Sequence, residues 1–466
     1  MSKKSVILIL FIIFVIFGFG YFLFKSYPNF KAPQVENDRI VEVELEFWGL
    51  WDNSDDWKKI IEKFEKKTYE FNGQKVRVSI NYTKKDFASY REDVEKAKEK
   101  DNNPNIFYIN NNWFSDYKKD LEPLSGNSAY TEEYNFLSYD DVLDIFPANT
   151  MIDFVNDNSL YSIPLYTDSL ALYYNKDLFQ KAGIENPPKS WVEFKNNVMK
   201  LTVFGKKDSI TQSGVALGTG DNVNRSSDIL SLLIMQGGGK VIGKNGEVDI
   251  NKGVEVSTTE GVEKRNPGER AISFYSEFSD PQKEIYSWNS DQENSIQSFA
   301  DGKLAMMFGY SYQIQNLLSL KPDLNYAVAP IPQLENSTVI NFSNIFSPVV
   351  SKDDNCKVDI AELSDKIDCS KIAWSFLSFA TQKENSELYL DLTNKAAARK
   401  DLIQKQIQNS GHIGVFASQA ESVVSYNKFS DEVDDILVDM LDEINLDREK
   451  IDEKIDEAVE KIEILK

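Results

Sequence analysis

The side chains in this sequence best suited to chemistry are aromatic rings set beside short polar groups. Trp48, Trp51 and Asp52 form one such group, Asn110, Asn111, Asn112 and Trp113 a second, Tyr166 with Asp168 a third, and Tyr310, Ser311 and Tyr312 a fourth. Flat rings cover apolar C–H faces, and amides, carboxylates and hydroxyls fix the orientation of a polar rim. The chemistry expected is therefore non-covalent recognition of a small polyhydroxylated ligand such as a sugar. Each ring also has a purely structural alternative. Trp48 ends an alternating stretch and suits a core as well as a platform, Trp51 beyond Gly49 is better placed in a ligand loop, and Trp113 can equally pack beneath its own loop. Trp57, Trp191 and Trp374 lie within apolar helical patterns and are expected in the core.

Bond-making chemistry finds little support. His412 is the single histidine, so a Ser-His-Asp or Cys-His relay has to run through it and no multi-histidine metal site can form. Paired carboxylates acting on a polysaccharide stay open as an alternative, since no spacing in the sequence reveals which two would face each other. Gly238 followed by Gly243 and Lys244 approaches a phosphate-cradling loop, but Asn245 stands where Ser or Thr must hold magnesium, and a turn and strand follow where a helix is needed. Residues 236–246 read as glycine-rich turns, and no cofactor is expected. A formal net charge of -22 disfavours nucleic acid, whose affinity for proteins comes largely from Lys and Arg on phosphates.

The elements that must position these groups follow from periodicity. Val41, Val43, Leu45 and Phe47 alternate with polar neighbours as a strand does, and Trp57, Ile60, Ile61 and Phe64 then share one face of a helix with Ser54 available as its cap. A second strand through Val76, Val78, Ile80 and Tyr82, a charged helix over residues 86–100 and an apolar strand over residues 106–109 continue a βαβ alternation, which predicts a mainly parallel sheet. Pro187 and Pro188 precede a capping box of Ser190 and Glu193 that opens another helix. Two amphipathic helices close the chain, one with a stripe of Val433, Ile436, Leu437, Met440, Leu441 and Ile444, the other with Ile451, Ile455, Val459 and Ile462. Their acidic outer faces read as solvated surface.

From residue 6 to residue 24 the chain is uncharged and almost wholly apolar, long enough at ~1.5 Å per residue to cross ~30 Å of hydrocarbon. Lys3 and Lys4 favour a cytoplasmic residues 1–5, an anchor at 6–24, a proline-bearing linker at 25–40 and an extracytoplasmic remainder of a single-pass membrane protein. A cleaved signal peptide is the alternative, although Gly18-Phe19-Gly20 is a weak cleavage site and no Cys follows it for lipid attachment. Cys356 and Cys369 are the only cysteines; outside the membrane they can pair, with two free thiols as the alternative.

Several blocks resemble the extracellular solute-binding proteins of the maltodextrin and multiple-sugar type that serve ABC importers. Residues 47–52, opening Phe47-Trp48-Gly49, look like that family's strand into its first ligand loop. Residues 161–168 followed by 172–179 are similar to its hinge crossing, and residues 187–194 and 299–307 match further segments. The resemblance implies an α/β two-lobed periplasmic-binding-protein-like clamshell with discontinuous lobes, here preceded by one N-terminal transmembrane helix. By that resemblance residues 41–165 and 334–395 form lobe 1, and residues 166–333 and 396–466 form lobe 2. It implies a monomeric receptor that is no enzyme, capturing a mono- or oligosaccharide by hinge closure and delivering it to ABC permease subunits; a carbohydrate-active hydrolase or a surface sensor or adhesin is the alternative. Asp168 is then expected at the hinge or cleft, Tyr310 and Tyr312 in an aromatic ligand loop, and Arg399 where the chain re-enters lobe 2, bonding either ligand or a neighbouring carboxylate. Asn344 joins the candidates from residues 341–346, a stretch that in sugar binders of this type carries Trp and Tyr and here does not.

Overall fold

The computed structural model describes residues 39–466 except 72, 101, 126–136, 157–158, 244–245, 259–260, 353–355, 361–366, 410 and 427–430. The apolar stretch read as an anchor lies outside them. Among the described residues no helix is long and apolar enough to cross a membrane.

In chain order the elements used below are β1 (Val41–Gly49), α1 (Ser54–Glu65), β2 (Thr68–Phe71), β3 (Gln74–Lys84), α2 (Tyr90–Glu99), β4 (Ile106–Asn110), β5 (Tyr166–Thr167), β6 (Ala171–Asn175), α3 (Trp191–Leu201), β7 (Val203–Phe204), β8 (Ile210–Val215), α4 (Ser226–Gln236) and α5 (Pro267–Ser276). They continue with β9 (Leu304–Gly309), β10 (Tyr326–Ala329), β11 (Phe346–Val350), β12 (Lys357–Val358), α6 (Cys369–Ala380), α7 (Lys383–Thr393), β13 (Ala396–Ala397), α8 (Glu432–Leu446) and α9 (Ile451–Ile464). Two sheets result. The first runs β11-β4-β1-β3-β2 with β12 beside β1, and the second runs β7-β8-β9-β6-β10.

The first sheet forms because Val41, Val43, Leu45 and Phe47 of β1 are buried while Glu42 points to water, which fixes its register between β3 and β4, both parallel to it. Helix α1 buries Trp57, Ile60, Ile61 and Phe64. Its cap is Asn53 and not Ser54: the Asp56 carboxylate accepts from the Asn53 N–H at 2.7 Å, closing the box one residue earlier than the sequence suggests. Around the second sheet, Ser190 Oγ caps α3 by accepting from the Glu193 N–H at 3.2 Å, and the Glu193 carboxylate accepts from the Lys189 N–H at 2.7 Å. Every residue of α4 is buried, and α8, with Val433, Leu437, Met440, Leu441 and Ile444 inward, packs on α4 and α5. Trp57, Trp191 and Trp374 are core residues, as their helical patterns imply. Gly238, in the glycine-rich turn, follows α4 with a φ of 85°.

The chain passes between the sheets more than once. Strands β5 and β13 pair antiparallel at Thr167 with Ala396 and Tyr166 with Ala397, and residues 341–342 pair parallel with residues 423–424. These short ribbons form the hinge of a two-lobed α/β fold.

Cys356 and Cys369 form a disulfide with a Cα–Cα distance of 5.8 Å, tying the approach to β12 to the first residue of α6. Closing so short a loop removes denatured-state entropy worth about 3 kcal/mol. Replacing both cysteines with serine is expected to lower unfolding stability by roughly that amount. Urea unfolding followed by tryptophan fluorescence measures it, and an unchanged midpoint would show that the bridge constrains nothing.

Candidate functional site

The hinge fixes the site from below. Lys395, just before β13, places its ammonium 2.5 Å from Asp52 Oδ1 and 4.2 Å from the centre of the Tyr166 ring. Tyr389 OH donates to the other Asp52 oxygen at 2.7 Å, and Tyr82 OH donates to the Asp52 carbonyl at 2.8 Å. Both charged side chains are largely withdrawn from water, at 16 % and 5 % exposure, so each is held in place by the need to pair with the other. Asp168, one residue beyond β5, accepts from Ser311 N–H at 3.1 Å, Ser311 Oγ–H at 2.8 Å and Ser169 N–H at 2.9 Å. Burial raises its carboxyl to about 7 in spite of these hydrogen bonds.

Above the hinge lies a cleft of about 600 Å³ with walls from both lobes. The lobe 1 wall is aromatic. Trp51 stands 4.9 Å from Phe87 and 5.5 Å from Phe346 between ring centres, and Trp113 stands 6.3 Å from Phe87 and 5.4 Å from Phe346. Trp51 is 45 % and Phe87 47 % exposed, a contiguous apolar surface of the kind that marks a contact site. Asn110 sits beside it, donating from Nδ2 to Asn344 Oδ1 at 2.5 Å and accepting from the Asn112 N–H at 2.9 Å.

The lobe 2 wall is polar and built on the first turns of two helices. Arg225, the residue before α4, adopts φ 61° and ψ 34°, a left-handed conformation unusual for a residue with a side chain. Its Nε donates to Tyr312 OH at 3.1 Å, and its guanidinium lies 5.7 Å from the Tyr310 ring centre and 5.8 Å from that of Tyr312. Tyr310 itself is buried and donates to Asp228 at 2.9 Å. Asp221, Asn224, Ser226 and Ser227 share this wall with Asp431, Asp434 and Asp435 at the start of α8.

One carboxylate joins the walls. Asp431 accepts from Trp113 Nε1–H at 3.0 Å and from Arg91 at 3.0 Å, while Arg91 also reaches Asp116 at 2.9 Å and lies 5.0 Å from the Trp113 ring centre. The lobes are therefore clasped.

Of the residues singled out from the sequence, the cleft brings together Trp51, Asn110, Asn112, Trp113 and Asn344, with Tyr312 reached through Arg225. It does not bring Trp48, which lies under the Lys85 ammonium at 3.7 Å, nor Asp52 and Tyr166, which the Lys395 charge draws into the hinge. Asp168 is at the hinge and Tyr310 beneath Arg225. Arg399 is turned to the Thr381 carbonyl at 2.8 Å and to Asp401 at 3.1 Å. Phe87, Phe346, Asn224, Arg225 and Asp431 were not singled out. Phe346 lay in the stretch noted for lacking Trp and Tyr, Phe87 at the head of a charged helix, and Arg225 carried no signal at all.

A second cavity of about 510 Å³ is lined by Trp191, Gln236, Arg265 and Arg270, together with Leu334 and Ser337. His412 is half-buried 4.8 Å from the Tyr326 ring centre, its pKa lowered by burial, and is not among the residues lining the cleft. Among the described residues no group of three His, Cys, Asp or Glu is placed to hold a metal.

A family model described as bacterial extracellular solute-binding protein matches residues 51–387. The maltodextrin-binding protein MdxE of Bacillus subtilis is 28 % identical over 286 residues, 57 % of this chain and 62 % of that protein. The match spans about half the length of other curated relatives. Among solved structures, the cyclic alpha-maltosyl-1,6-maltose binding protein of Arthrobacter globiformis superimposes with a TM-score of 0.69 at 15 % identity, covering 91 % of this chain and 99 % of that one. UgpB of Mycobacterium tuberculosis in complex with glycerophosphocholine gives 0.66 at 15 % identity, covering 91 % and 98 %. At such identities the likeness speaks to the fold.

Asp168 carries a pH dependence whose sign is fixed. An unfolded carboxyl ionises near ~4, and the folded one near about 7, so the native state holds the extra proton between those values. The stability it contributes is complete below the lower value and is lost as pH rises through the upper one. The melting temperature of the protein is therefore expected to fall further between pH 5 and pH 8 than that of D168N. Equal falls would show that Asp168 is ionised throughout.

Proposed function

This chain belongs to the bacterial extracellular solute-binding protein family, and on that premise we propose that it is the receptor of an ABC importer, closing on a carbohydrate between its lobes and passing it to a permease. The observation that carries the reading is the opposition of the two walls: the rings of Trp51, Phe87, Trp113 and Phe346 face amides, hydroxyls and carboxylates across a cleft of about 600 Å³. That volume falls in the range of small-ligand sites, and rings opposite polar groups suit a pyranose, whose C–H faces stack while its hydroxyls bond at the rim. Trp51, Asn110, Asn112, Trp113, Tyr312 and Asn344 are the proposed contacts carried from the sequence, joined by Phe87, Phe346 and Arg225. Asp52, Tyr166 and Asp168 serve as hinge residues in this reading, and the lobes divide near residues 165, 333 and 395.

Ligand binding to the folded state alone raises the melting temperature. In a thermal-shift screen of the fragment from residue 39 against saccharides, amino acids and polyamines, a saccharide is expected to give the shift. W51A should weaken its binding about tenfold, near 1.4 kcal/mol, with little change in the unliganded melt because the ring is already half in water. A shift with non-sugars alone would sink the carbohydrate assignment.

Residues 6–24 are proposed as an uncleaved anchor holding the receptor at the cell membrane. Their length, lack of charge and preceding lysines support it. N-terminal sequencing of the membrane-extracted protein should begin at or near residue 1; a start near residue 21 means the segment is removed.

A further inference from the structure

Among the described residues, two buried asparagine side-chain atoms in the cleft have no hydrogen-bond partner. Asn112 is 3 % exposed and lines the cleft from lobe 1, yet its Oδ1 accepts nothing. Asn224 lines it from lobe 2, and its buried Nδ2 donates to nothing. Neither residue is loosely placed. The Asn112 N–H is held by Asn110 Oδ1 at 2.9 Å and the Asn224 N–H by Ser295 Oγ at 2.9 Å. An unmet buried polar atom is destabilising, and such atoms are rare enough in native proteins that each calls for a physical reason.

Resting on the carbohydrate reading above, we infer that Asn112 and Asn224 are specificity-determining residues for an unphosphorylated saccharide, Asn112 Oδ1 accepting from one hydroxyl and Asn224 Nδ2 donating to another oxygen of the same ligand across the cleft. The complementary pair, one acceptor and one donor on opposite walls, suits a hydroxyl-rich ligand, because each hydroxyl both donates and accepts. The surrounding charge decides against a phosphate. Asp221, Asp431, Asp434 and Asp435 line the cleft against Arg225 alone, whose Nε donates to Tyr312 OH at 3.1 Å and whose guanidinium lies 4.0 Å from Asp228. A phosphate ester would bring its charge among four carboxylates with a single guanidinium in the lining to offset them. The fold permits either ligand, so the choice lies with these side chains.

The test uses N112L and N224L, with maltotriose, xylotriose and trehalose as unphosphorylated probes and glucose 6-phosphate and glycerophosphocholine as charged ones. At least one of the first three is expected to bind and neither of the last two. Each leucine variant should weaken binding tenfold or more by isothermal titration, while its unliganded melting temperature is unchanged or higher, because an unsatisfied polar atom has been removed. N112A and N224A repeat the binding arm should a leucine variant fail to fold. A saccharide that binds all four variants undiminished, or a phosphate ester that binds the native protein, overturns this inference and leaves the receptor reading standing. No binding by any saccharide overturns the carbohydrate reading, and this inference with it.

Discussion

The pairing of Lys395 with Asp52 governs much of what lies above it. An ammonium and a carboxylate this far from water have to find each other, and Lys395 is next to the strand where the chain crosses between lobes, whereas Asp52 closes the loop that carries Trp51. The pair therefore ties the hinge to the aromatic wall. Tyr389 and Tyr166 complete the enclosure, one by a hydrogen bond to the carboxylate and the other by offering its ring face to the cation.

The lobes contribute unlike halves to the cleft. Lobe 1 supplies rings held edge against face by one another, a surface that needs no hydrogen bonds to keep its shape. Lobe 2 supplies side chains whose placement depends on backbone geometry: the left-handed Arg225 at the start of α4 and the carboxylates at the start of α8. Stacking on lobe 1 is tolerant of ligand identity; hydrogen bonding on lobe 2 is not.

How much of this was legible in the sequence depended on whether the signal was local. Period-two alternation marked β1 and β3, the helical stripes marked α1, α8 and α9, and the apolar run marked β4, because side-chain periodicity is a direct imprint of which face is buried. Aromatic residues beside amides pointed to Trp51, Asn112 and Trp113. The same rule misplaced Asp52, whose partner lies 343 residues away, and no local pattern announces a charge of that kind. Arg225 and Asp431 were invisible for the complementary reason: their roles come from where α4 and α8 begin in space. Phe87 was hidden inside a stretch whose charged residues dominated its reading.

The Asp431 clasp carries a consequence for kinetics. The Asp431 side chain is 56 % exposed and that of its partner Arg91 34 % exposed, so this ion pair between the lobes lies at the rim, where dissolved ions reach it. Attraction between groups so placed weakens as the Debye length shrinks. The ionic strength of the surrounding medium thus enters how long the two walls of the cleft stay together, longer in dilute surroundings than in brine.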